Sequence, residues 1–256
     1  MTKALIINTI VLIKCINYRK GALEGLTGGS TKDQIFLAAV KVFAEKGYKG
    51  ATVRGICKLA GAANLNSINY YFGGKENLYK AILENIFSDY QKRKDKYVNV
   101  EQKKITPEER LWYFIYTYCD MLYSGGEFAA GLSAIFIAEM SRPSSYLNEM
   151  AKKYMVPQAK ELSGILRDIL GSGTPLNIIR DCGVSIIGAI GYYGFTWPLL
   201  SRIFPDLPNM QSYYAHLSEH VFRFSMGGLK AVRKAIAAGR IPLEKKNKEY
   251  GDRNLD

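Results

Sequence analysis

Asn64, Asn66, Ser67 and Asn69 crowd into the stretch ANLNSINYYF. An Asn side chain offers a donor beside an acceptor, which suits the exposed edge of adenine, and a Ser hydroxyl pairs with any base. Each good pair of this kind is worth roughly 1–3 kcal/mol of discrimination. Tyr70 and Lys75 follow, a phenol and an ammonium that suit phosphate oxygens. Thr52 stands where a short helix is predicted to start, so free backbone N–H groups lie beside it, and Arg54 is within a turn of that end. Asn also caps helices, so Asn64 has a cap reading in competition with a base-contact reading. For Asn66 and Ser67, contact with base or phosphate is the expectation.

A second group of residues points to a different chemistry. Tyr116, Phe136, Glu139, Met140, Tyr192 and Trp197 fall on apolar helical patterns and are predicted to line a cavity for a small amphipathic effector. Aromatics at helical spacing also build ordinary cores. Glu139, between Ala138 and Met140, needs a partner: an effector amine, or Arg142 one turn on. A third pattern, His216-Leu-Ser-Glu219-His220, fits the H-x-x-E-H of some zinc peptidases. These are the chain's two histidines and no further ligand accompanies them, so a polar stripe on a helix is the expected role. No metal site, cofactor or enzymatic activity is expected.

The elements that must position these groups are helical. Ile35, Ala38, Ala39, Val42 and Phe43 recur at helical spacing, with Thr31 and Gln34 as a capping box and Gly47 as a stop. A second helix is predicted over about 53–60 with Thr52 as cap and Gly61 as stop, and a third over about 65–72. Gly73-Gly74 breaks the chain before a long helix from Lys75. Ala39, Phe43, Val53, Ile56, Leu59, Ile68 and Phe72 would form a small core fixing the angle between the short helices. Downstream, TPEERLWYFIYTYCDML is apolar on most faces and therefore central, and EFAAGLSAIFIAEM follows a Gly-Gly break. Residues 145–170 form a helical pattern that Pro157 should kink or break. LNIIRDCGVSIIGAIGYYGFTWPLL and SYYAHLSEHVFRFSMGGLKAVRKAIAA complete an all-α chain of about nine helices, with no strand alternation outside the N-terminal stretch.

Two short helices joined by a glycine turn can place the second in the major groove. Residues 31–80, through TKDQIFLAAVKVFAEKGYKGATVRGICKLAG and INYYFGGKENLY, resemble the N-terminal domain of the TetR family of bacterial transcriptional regulators. The resemblance implies phosphate contacts by Tyr70 and Lys75, and a helical body that binds an effector and dimerises. IFIAEMSRPS and IIGAIGYYGFTWPLL resemble the subfamily with a CecR-type C-terminal domain. Two departures stand out. Gly55 occupies the place of an acidic residue that would complete a capping box with Thr52. The turn Ala60-Gly61-Ala62-Ala63-Asn64 is one residue longer than the family's usual turn, which predicts a shifted start for the reading helix.

The formal net charge of +12 favours polyanionic partners, with nucleic acid ahead of acidic membrane surfaces. Cys15, Cys57, Cys119 and Cys182 form no CxxC pair and suit a reducing cytoplasm. LIINTIVLI, residues 5–13, is far short of the roughly 20 residues of a membrane span, and no small-residue cleavage site follows it. The expected organisation is a poorly ordered extension over 1–29, a helix-turn-helix domain over 30–76, an effector-binding and dimerisation domain over 77–240, and a polar tail over 241–256. A strand or short helix docked on the body is the second reading of the extension, and a secretion signal the third. Gly188, Gly191 and Gly194, with the last long helix, are predicted to build a four-helix dimer interface. The functional expectation is a homodimeric repressor on a palindromic double-stranded DNA operator, released by its effector. The alternative is a membrane-associated interaction protein using the apolar N-terminus and a basic face, with liposome flotation to separate the two.

Overall fold

The computed structural model describes residues 30–62, 64–97 and 105–241, so the readings of 1–29 and of most of the polar tail lie outside the described residues. Nine helices make up the described residues: α1 Thr31–Gly50, α2 Val53–Leu59, α3 Ser67–Phe72, α4 Lys75–Tyr97, α5 Pro107–Tyr123, α6 Gly126–Ser141, α7 over 147–170, α8 Leu176–Ile203 and α9 Met210–Ala237. They group into two compact units. One runs through Leu83 and takes in Ala134–Ala138 of α6; the other holds Glu84–Ser133 and the chain from Glu139 onward.

In the first unit, α1 buries the predicted stripe of Ile35, Ala38, Ala39, Val42 and Phe43. Its capping box is Ser30 with Asp33, one residue earlier than expected: the Ser30 hydroxyl accepts from the Asp33 N–H and Asp33 accepts from the Ser30 N–H. A carboxylate at the third helical position gains from the helix dipole, which favours this register over Thr31 with Gln34. Gly47 takes a φ of +66° and interrupts the helix where a stop is predicted. Ile56 and Ile68 are fully buried and tie α2 and α3 to the core, whereas Leu59 is 50% exposed and leaves it. A helix as short as α2 presents only one turn and a half inward, and Cys57 takes the inner position that Leu59 was expected to share.

In the second unit, α5 is central, packing on α7, α8 and α9. Thr106 and Glu109 form a complete capping box at its start. Pro157 does not break α7. The α-helix of Leu147–Met150 opens into a π turn over Ala151–Met155 and resumes at Val156–Leu170, with the Val156 N–H bonded to the Ala151 carbonyl. Proline has no N–H for the carbonyl four residues back and its ring crowds it; the wider turn relieves both.

The three glycines of α8 do not act alike. A Cβ on Gly188 or Gly191 would meet nothing within 4 Å, but one on Gly194 would sit 2.6 Å from the Tyr123 ring. Tyr123 lays its hydroxyl between the Ile190 carbonyl, to which it donates at 2.5 Å, and the Gly194 N–H, from which it accepts at 3.0 Å. A regular helix pairs those two groups with each other. Gly194 therefore serves contact within the chain rather than the predicted interface.

Candidate functional site

The turn before α3 is built by its asparagines. Asn64 Oδ1 accepts the Asn66 N–H at 2.8 Å, and Asn69 Nδ2 donates to Asn66 Oδ1 at 3.1 Å. Asn64 thus closes an Asx-type turn, while the cap position itself falls to Asn66, whose side chain makes no capping bond. The reading helix starts at Ser67, two residues later than predicted, which fits the longer turn. Asn64, Asn66 and Asn69 are exposed, Ser67 is half-buried, and Tyr70 is 81% exposed, its ring set edge-on against Tyr71. Among the described residues Asn66 Nδ2 and Asn69 Oδ1 make no hydrogen bond, which leaves a donor and an acceptor three residues apart.

What fixes this array is apolar. Ile68 is fully buried beneath it, and the Phe72 ring lies 6.5 Å from Phe36 of α1. Gly73 at φ +73° and Gly74 at φ +121° then turn the chain into α4, conformations that a side chain would strain. Thr52 Oγ1 accepts the Gly55 N–H at 3.1 Å, the half of a capping box that survives with glycine in the third place. Arg54 is exposed on the first turn of α2. Lys75 is half-buried: Nζ donates to the Ala51 carbonyl at 2.7 Å and sits 4.5 Å over the Tyr48 ring. Its ammonium is already anchored, with donors left over for an anion.

The six predicted effector residues stand in different settings. Phe136 falls within Ala134–Ala138, the part of α6 that groups with the first unit. Glu139 is buried and accepts from the Ser144 N–H at 3.0 Å and hydroxyl at 2.9 Å, so it staples the turn after α6. Tyr116 is core, stacked on Trp112 at 5.0 Å and near Tyr214. Met140 and Tyr192 are exposed, and Trp197 rests on Tyr213 at 5.3 Å.

A cavity of about 300 Å³ lies elsewhere in the second unit, between α4, α5 and α7. Phe114, Ile105 and the rings of Tyr90 and Tyr113 give it apolar walls, and Lys94, Arg110, Thr117 and Glu161 its polar groups. Lys94 Nζ is 2.9 Å from Glu161 Oε2, and the Tyr90 hydroxyl donates to the same oxygen at 3.4 Å. Burial, and then the charge of Glu161, raise the Tyr90 phenol above its ordinary pKa, so it stays a donor. None of these residues was predicted. A signal for them exists: Tyr90 and Lys94 are four apart, and Arg110, Tyr113, Phe114 and Thr117 are spaced along one face of α5. A cation and a hydroxyl on the apolar central helix mark that face.

The H-x-x-E-H motif lies on α9, where Glu219 accepts from the Trp112 indole N–H at 3.0 Å and from Arg223 at 2.7 Å. No group of three or more His, Cys, Asp or Glu side chains that could hold a metal ion occurs among the described residues.

Two family models match the chain. Residues 35–82 match the model of the bacterial regulatory proteins of the tetR family, and residues 107–229 match the C-terminal domain of the HTH-type transcriptional dual regulator CecR. The HTH-type transcriptional repressor NicS of Pseudomonas putida is 28% identical over 165 residues, covering 64% of this chain and 72% of NicS. Among solved structures, the transcriptional regulator FadR from Bacillus subtilis, in complex with stearoyl-CoA, aligns with a TM-score of 0.55 and 24% identity, covering 76% of this chain and 97% of that one. The TetR family regulator PfmR from Thermus thermophilus aligns with a TM-score of 0.52 and 19% identity, over 74% and 97% of the two chains. With an exposed polar helix set on a buried apolar base at one end of the sequence and an all-helical body at the other, the chain belongs to the TetR family of bacterial transcriptional regulators and carries a CecR-type C-terminal domain.

Proposed function

We propose that this regulator is a homodimeric repressor that binds a pseudo-palindromic operator and is released by a small effector held in the cavity between α4, α5 and α7. The observation that carries the DNA-reading half is the exposed Asn64–Asn66–Asn69 array on a buried Ile68 base. Asn66, Ser67 and Asn69 read base edges, Asn64 shapes the turn that presents them, and Thr52, Arg54, Tyr70 and Lys75 hold phosphates. Support for repression is the relationship to NicS, a repressor.

Dimerisation is supported by α8. Val184, Gly188, Tyr192, Phe195, Leu199 and Ile203 follow one another at helical spacing, and Phe195 is 66% exposed. An apolar stripe of that length calls for a partner, and a second copy gives a two-fold axis to match a palindrome. By length and composition α8 also qualifies as a membrane span, with a mean hydropathy of 1.2, which is what the membrane alternative would draw on. Relatives that are transcriptional regulators do not favour that alternative.

The effector would act by population shift, favouring a spacing of the two reading heads that misses successive major grooves. Mobility shifts with DNA from upstream of the protein's own gene test the proposal: one palindromic site should bind far more tightly than random DNA at moderate salt, and equal affinity for both would sink it.

A further inference from the structure

We propose that the cavity takes a small organic anion, whose acid group displaces the Glu161 carboxylate from Lys94 and Tyr90. This rests on reading that cavity as the effector site. Its donors outnumber its acceptors. Lys94 spends one N–H on Glu161, and Arg110 spends Nη1 on Asp168, a half-exposed residue outside the lining. Both cations keep donors in reserve. The Tyr113 hydroxyl makes no hydrogen bond among the described residues, and burial, then the charge of Glu109, keep it protonated. Against these stands one lining carboxylate, Glu161.

The alternatives fit worse. An organic cation would face Lys94 and Arg110 together. A neutral apolar molecule would strip water from their donors and return no hydrogen bond. An anion gains charge-assisted bonds, while Phe114 and the tyrosine rings cover its apolar body. The volume is at the lower end of the roughly 300–1,000 Å³ typical of ligand pockets, so the molecule is small.

Displacement follows from the geometry. Glu161 Oε2 occupies the point nearest both Lys94 Nζ and the Tyr90 hydroxyl. An incoming acid group that stayed beside it would meet a like charge at contact distance. Glu161 therefore yields its place. Lys94 and Tyr90 are on α4 and Glu161 is on α7, so the exchange cuts a tie between two helices and replaces it with a tie from α4 to the ligand. α4 is the helix that begins at Lys75, just past the reading helix.

The test uses calorimetric titration of the full-length protein with matched probes: hexanoate, hexanamide and hexylamine, then benzoate, benzamide and benzylamine, at fixed ionic strength. The carboxylates should bind at least about tenfold more tightly than the amides, with the amines weakest. Lys94→Gln should erase that preference. Glu161→Gln, which removes the competing charge and keeps the shape, should tighten carboxylate binding several-fold, and it keeps the proposal open to refutation should Lys94→Gln fold poorly. Amides or amines binding as well as carboxylates, a preference that survives Lys94→Gln, or no carboxylate binding up to about 10 mM would each overturn the proposal. Operator binding is measured beside it. Specific operator binding without carboxylate binding overturns the anion and leaves the regulator. Carboxylate binding that leaves the operator complex intact supports the anion site and overturns the effector reading. Loss of specific operator binding in the parent protein overturns the regulator reading alone.

Discussion

The reading head and the helical body hold their polar groups in opposite ways. Around α2 and α3 most side-chain hydrogen bonds are short in sequence: Asn64 to Asn66 spans two residues, Asn66 to Asn69 three, Thr52 to Gly55 three, with Lys75 to Ala51, across 24, the exception. In the body, Arg93 reaches Asp120 across 27 residues, Tyr123 reaches Ile190 across 67, and Trp112 reaches Glu219 across 107. A side chain whose partners are its sequence neighbours can change without moving another helix. One whose partner is on another helix sets where that helix lies. Changes in the head should therefore alter DNA selection at little cost in stability, and changes in the body should do the reverse.

The harshest trial of this contrast is Asp120→Ala. Asp120 is buried and holds the Arg93 guanidinium at 2.6 Å, and Asp89 and Ser124 complete the cage. Removing one partner of a buried ion pair costs about 3–5 kcal/mol. With Asp89 and Ser124 still in place, about 3 kcal/mol is expected, read as a lower denaturation midpoint with operator sequence preference unchanged. A loss under about 1 kcal/mol would place Arg93 among weak surface pairs and dissolve the contrast.

Gly194→Ala comes next. A new methyl group 2.6 Å from the Tyr123 ring must push the ring from the α8 ladder or bend α8 away. Overpacking of this kind costs about 1–3 kcal/mol. Four residues on, Pro198 offers no N–H to the Gly194 carbonyl, so α8 already lacks one rung beside the ring. Gly191→Ala, whose Cβ meets nothing within 4 Å of the chain, should leave monomer stability alone and disturb the dimer instead. Sedimentation and chemical denaturation of the two variants separate these outcomes.

The same contrast explains what was legible in the sequence. Nine helices, the Thr52 cap, the Gly73-Gly74 break and the α1 stripe all depend on neighbours within a turn or two, and they stand where the pattern puts them. The errors there were shifts, Ser30 for Thr31 and Ser67 for Leu65, because adjacent polar residues offered rival caps. Glu139 has a partner that the pattern does not announce, for a different reason: Ser144 lies beyond Pro143, outside the helical register in which Arg142 is nearest. The cavity was missed altogether. Lys94 and Glu161 are 67 positions apart, and nothing in either local pattern announces the other.

In the head, Asn66→Ala should relax preference at the operator by about 1–2 kcal/mol while the melting temperature barely moves. Lys75→Ala should weaken binding to every DNA alike and reduce the salt dependence. Lys75 also has a structural tie, to the Ala51 carbonyl and the Tyr48 ring, so a modest fall in stability should accompany it. Equal losses on every sequence from both variants would refute the division between base and phosphate contacts.

The smallest effect expected is that of Thr52→Ala, and it bears most directly on the contrast. The α1 and α5 starts carry complete capping boxes, whereas α2 has only the bond from the Gly55 N–H to Thr52 Oγ1. Loss of a cap costs about 0.5–2 kcal/mol, and half a box on a seven-residue helix belongs near the bottom of that range, about 0.5 kcal/mol. Ile56 and Cys57 keep α2 seated without it. DNA affinity should fall more than stability does if, as proposed, the hydroxyl and the N–H groups beside it hold a phosphate. A variant that loses about 2 kcal/mol or more of stability while binding operator normally would show that a three-residue bond in the head fixes the fold as firmly as the long-range bonds of the body.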